Sequence, residues 1–113
     1  MLSVAAGAFG AHGLQGRLSA DMLALYETAA RYQMYHALAL ILSGLLDRED
    51  RRRAIRFAAW SFIAGIALFS GSLYLLAFSG NRTLGAITPF GGVAFLAGWA
   101  ALFVAVWPGR NPR

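Results

Sequence analysis

The chain has 113 residues, 58% of them apolar and 13% charged, with a mean hydropathy of +0.56; soluble domains carry about a quarter charged residues, so an ordinary water-soluble fold is excluded. The net charge of +5 comes from arginine alone, and the arginines sit at the ends of apolar segments instead of along one basic face, which suits anionic headgroups and membrane topology and excludes nucleic acid as a partner. The absence of cysteine excludes disulfides and thiolate metal sites.

The first segment, MLSVAAGAFGAHGLQG, is apolar but short. Eleven residues precede His12, about 16 Å of helix against a hydrocarbon core of roughly 30 Å. It lacks the basic start of a signal peptide. A span needs about 20 residues, so the sequence is expected to begin inside a longer apolar run. Gly7, Gly10, Gly13 and Gly16 recur every third residue and open one edge to the close approach of another helix.

Ser19 is placed to cap the second helix, with Asp21 in its first turn. Only residues 32–46 of this helix are free of charge, about 22 Å, so a crossing must begin near Glu27. Glu27 and Arg31 are then an intrahelical pair at the outer interface, where Tyr26, Tyr32 and Tyr35 form an aromatic belt. At 100° per residue, Glu27, Arg31, Met34, Leu38, Ile41 and Leu45 make one stripe and Ala29, Tyr32, Gln33, His36, Leu40 and Ser43 the opposite one. The second stripe puts His36 about 15 Å deep, near the midplane.

A histidine at that depth has a structural and a functional reading. A neutral imidazole donates to a carbonyl and accepts from Gln33 or a serine, joining two helices for about 1 kcal/mol. An imidazolium there costs a few kcal/mol, so His36 is expected to face other helices uncharged. Alternatively, His36, Gln33 and Tyr32 contact a lipid-like cofactor such as a quinone, or His36 and His12 ligate haem from two helices; no second-shell carboxylate lies near either histidine in sequence.

Residues 47–56 hold eight of the fifteen charged residues and separate the second helix from two long apolar runs. Residues 57–78 and 83–109 contain no charge, and each is long enough to span. In the third helix Trp60 marks the inner interface, Ala58, Ser61, Gly65 and Ser72 share one stripe, and Ala64, Ala67 and Gly71 lie on another. SGNRT is a tight outer turn, Thr88 is placed to cap the fourth helix, and Pro89 opens it. Ala94, Gly98, Ala101 and Ala105 form a small-residue seam.

The reading is an all-α membrane protein, residues 1–113 as one integral domain, with four antiparallel helices at about 1–14, 20–47, 55–79 and 89–107. Placing residues 47–56 in the cytoplasm leaves seven arginines inside and three outside, and both termini inside.

Four motifs carry a family resemblance: GAFGAHGL, YQMYHALAL, FSGSLYLLA and ITPFGGVAFLAGW, in that order. The chain resembles the YgdD-like family of small four-span inner-membrane proteins, whose domain has no known function. The resemblance implies a bundle in the bacterial cytoplasmic membrane, relatives in mitochondria, and importance for His12, Tyr32, Gln33, His36, Ser72, Tyr74, Thr88, Pro89 and Gly92. Members usually carry a longer apolar run before GAFGAHG. The function expected is non-enzymatic and without a cofactor, through packing with membrane lipids, with itself as a homo-oligomer, or as a subunit of a larger membrane complex. Binding of a quinone or haem is the second reading and a small transporter or channel the third.

Overall fold

The computed structural model describes residues 1–108, all helix and turn with no strand among them; Arg110 and Arg113, counted in the orientation argument, lie outside the described residues. Four helices follow in order: α1 (Leu2–His12), α2 (Ala20–Leu45), α3 (Arg52–Ser79) and α4 (Thr88–Val106). A 3-10 turn, Arg82–Ala86, joins the last two. Neighbours in sequence are neighbours in space: α1 lies on α2, α2 on α3 and α3 on α4, in a body of 59 × 26 × 16 Å.

Local chemistry sets the ends. Ser19 Oγ accepts the Met22 N–H at 3.2 Å and starts α2, with Asp21 in the first turn. Gly16 and Gly80 take positive φ in the turns after α1 and α3, where a β-carbon would be strained. α3 begins at Arg52 rather than near 55, because Arg51 already bonds Arg48 and accepts the Ile55 N–H, and arginine is a good helix former whose long stem reaches water. Thr88 is the first residue inside α4 rather than its cap. Its hydroxyl is 2.7 Å from that of Ser72, an interhelical bond in place of a capping one.

The stripe Glu27, Arg31, Leu38, Ile41 and Leu45 is exposed on α2, whereas Ala29, His36 and Ser43 are buried. Glu27 and Arg31 do not pair. The ion pairs among the described residues are Arg51–Asp50 and Arg52–Asp47. Tyr26 leaves the expected belt: it is 3% exposed, against 49% for Tyr35, because its hydroxyl donates to the Ala6 carbonyl at 2.6 Å. Its ring lies where a β-carbon on Gly10 would sit, so of the four glycines this one brings α1 and α2 together.

The α3–α4 contact is built from phenylalanines opposite glycines. Phe95 fills the space beside Gly65, Phe62 that beside Gly98, and the Phe69 backbone lies against Gly91. The buried ridge of α4 is therefore Gly91, Phe95, Gly98, Leu102 and Ala105; it shares Gly98 and Ala105 with the expected seam, whose Ala94 and Ala101 are only half-buried. Rings need vacancies across the interface, and glycine supplies deeper ones than alanine.

α3 is α-helical over Arg52–Gly65 and Gly71–Ser79, with a π-helical turn at Ile66–Ser70 between. Before the wide turn the buried positions run Ile55, Ala58, Phe62, Gly65; after it Ser72 and Leu76 keep that phase, and Ser70, Leu73 and Ala77 are buried beside them, so the buried face widens. The extra residue of the wide turn brings the second set round beside the first. It turns Ser70 onto α2, where Oγ donates to the Ala29 carbonyl at 2.8 Å. Ala64, before the turn, and Ala67, within it, are exposed.

By length and composition α3 and the stretch Arg82–Val106 can each cross a bilayer, both at a mean hydropathy of 1.9. α2 has the length, with 26 residues, but carries Asp21, Glu27 and Arg31 in its first half.

Candidate functional site

His36 is 4% exposed and both its ring nitrogens are engaged. Nδ1 lies 2.7 Å from the Tyr32 carbonyl, which can only accept, so Nδ1 carries the proton. Nε2 then accepts the indole N–H of Trp99 at 3.0 Å. Phe95 stacks on the imidazole with centroids 3.5 Å apart at 8°, and Phe62 and Trp99 complete the surround. The ring is held by α2, α3 and α4 together.

Beside it opens a groove of about 640 Å³ between α2 and α4. Tyr32, Tyr35, Phe69, Phe95 and Trp99 form its walls, and Pro89 and Gly92 lie at the start of α4. Gly92 has nothing within 4 Å of where its β-carbon would be, so the missing side chain widens the groove. Its surface is apolar and aromatic, suited to an acyl chain or a flat ring.

The sequence candidates separate. Tyr32 and His36 share the groove. Gln33 does not: its Oε1 accepts the Tyr74 hydroxyl at 2.7 Å, joining α2 to α3. His12 ends α1, exposed, and takes no part in the groove. The expected partner of His36, Gln33 or a serine, is replaced by Trp99. A signal for that pairing exists in the sequence. Trp99 lies eleven residues into α4, about 16 Å from its start, and an indole N–H turned onto packed helices needs an acceptor there.

The remaining polar groups are used in the same way. Ser72 bridges to Thr88, Ser70 to α2, and Ser43 returns to its own helix at the Ala39 carbonyl. Among the described residues no buried side-chain nitrogen or oxygen lacks a partner.

Residues 6–92 match a family described as a protein of unknown function, DUF423. That stretch contains GAFGAHGL, YQMYHALAL and FSGSLYLLA and the start of the fourth motif. The UPF0382 membrane protein of Staphylococcus haemolyticus is 47% identical over 107 residues, covering 95% of this chain and 87% of the relative. YwdK of Bacillus subtilis, also a UPF0382 membrane protein, is 46% identical over 106 residues, covering 93% and 86%. The chain belongs to the DUF423 family. No solved structure matches it. Its DUF423 relatives are named membrane proteins, in accord with the two helices apolar enough to span. Among the positions the sequence resemblance singled out, the structure joins Gln33 to Tyr74 and Ser72 to Thr88, and sets Tyr32, His36, Pro89 and Gly92 around one groove.

Proposed function

We propose that this DUF423 protein is a four-span integral protein of the bacterial cytoplasmic membrane, both termini inside, that works without catalysis by packing against lipid, against copies of itself or within a larger complex. The supporting observation is the commitment of its buried and half-buried polar side chains. His36, Gln33, Ser70, Ser72 and Tyr74 hold helices together, and each has a partner within the chain. A catalytic group needs a free lone pair or proton aimed at a substrate. The outward surface is instead apolar, with Leu38, Ile41, Phe57, Phe90, Leu96 and Phe103 exposed. Native mass spectrometry from a gentle detergent tests this reading: species heavier than one chain, or a bound partner, support it, and bare monomers alone count against it.

The groove beside His36 favours a second reading, a lipid-like ligand such as a quinone lying on its aromatic wall. Haem fits poorly there, because the Nε2 lone pair that would bind iron accepts the Trp99 N–H and His12 belongs to another part of the molecule. Organic extraction of the purified protein, compared with a Gly92→Leu variant that fills the groove, tests it. A molecule co-purifying equally with both would reject the site.

A further inference from the structure

A second groove, of about 630 Å³, lies along α3 and α4 away from His36, at the end of α3 that carries the charged stretch. Its interior is apolar because the sequence places alanine where the helices flank it: Ala54 on α3, and Ala97, Ala100 and Ala101 on α4. Asp50, Arg51 and Arg53 stand at its mouth. Arg51 engages Asp50 at 3.4 Å, which leaves one full positive charge. Arg53 is exposed and makes no ion pair among the described residues. Residues 47–56 as a whole hold five arginines against three acids. α3 also starts with no acidic residue in its first turn and no side-chain cap, so its N–H dipoles add to the positive field.

An apolar trough that ends under an uncompensated guanidinium matches an amphiphile with one negative group and a long tail. We propose that this groove holds an anionic phospholipid, the phosphodiester at Arg53 and one acyl chain along the alanines. A guanidinium pairs with a phosphate oxygen through charge-assisted bonds, and basic pockets between membrane helices take such headgroups. A second copy of the chain answers the apolar trough but not the charge. The proposal rests on the membrane placement above only in that phospholipid must reach this end of α3.

The test uses the full chain in nanodiscs of equal phosphatidylglycerol and phosphatidylethanolamine with matched acyl chains, released and weighed by native mass spectrometry. The wild type is expected to retain phosphatidylglycerol several-fold over phosphatidylethanolamine. Arg53→Gln, at an exposed position outside the packed core, brings that preference close to parity, whereas Arg48→Gln leaves it. Ala100→Phe fills the trough and lowers retention with Arg53 intact. Equal retention of the two lipids overturns the proposal, as does an equal loss from Arg48→Gln and Arg53→Gln. Competition by glycerol phosphate as effective as by the intact lipid overturns the acyl-chain part, and a dimer with no lipid overturns the whole. A topology reporter that reversed the orientation would reject the placement in the membrane without altering these readouts.

Discussion

Trp99 on α4 donates its indole N–H to His36 Nε2 across 3.0 Å, while the same imidazole donates from Nδ1 to the Tyr32 carbonyl. One ring thereby gives the indole N–H an acceptor and keeps its own Nδ1–H bonded. Interhelical bonds in bilayers are worth about 1 kcal/mol, and a group left unpaired costs more than the bond contributed. Trp99→Phe is expected to lower stability in detergent by about 1 kcal/mol, and His36→Leu by about 2 kcal/mol, because it also strips the ring from Phe95. Coupling measured in the double-variant cycle should be positive. Strict additivity would show that the bond does not form.

Gly91 and Gly92 are adjacent yet predict opposite outcomes. A β-carbon on Gly91 meets the Phe69 backbone, which cannot swing aside as a side chain would, while one on Gly92 meets nothing within 4 Å. Gly91→Ala should destabilise by about 1–3 kcal/mol through overpacking. Gly92→Ala should be neutral or stabilise by a few tenths of a kcal/mol through helix propensity. Thermal unfolding of the two variants side by side decides, and a reversed order would contradict the α3–α4 packing.

Tyr74 and Gln33 form a bond whose two halves are expected to behave unequally. Tyr74→Phe leaves the Gln33 amide oxygen without its donor and should cost about 1–2 kcal/mol. Adding Gln33→Leu removes the orphan and should restore part of the loss. If the double variant falls by the full sum, the two side chains act independently.

Orientation is tested by fusion. Residues 47–56, the connection and the first residues of α3, carry five arginines, and arginine-rich segments flanking spans stay in the cytoplasm. A reporter active only outside the cytoplasm, inserted in residues 47–51, should be silent, and the same reporter in the turn at Arg82–Ala86 should be active. The opposite pattern rejects the proposed topology.

Composition and periodicity determined the class and the faces. A chain with 13% charge and two charge-free runs has few ways to fold other than as apolar helices, because each backbone N–H and C=O must be satisfied within its own segment. The 100° repeat placed Glu27, Leu38 and Ile41 outside α2 and Ala29, His36 and Ser43 inside, since angular position on a helix depends on spacing alone. Four motifs carried the family. Partnership was decided by the tertiary structure. Whether His36 meets Gln33, His12 or Trp99 depends on the rotation and register of three helices, and a π turn at Ile66–Ser70 widens the buried face half-way along α3. The α3–α4 seam was hidden for a related reason. Small-residue spacing marks where helices can approach, but the observed ridge follows the rings of Phe62 and Phe95 and the backbone of Phe69, each with a glycine opposite it, and which glycine stands opposite is a property of two helices in register, not of either sequence by itself.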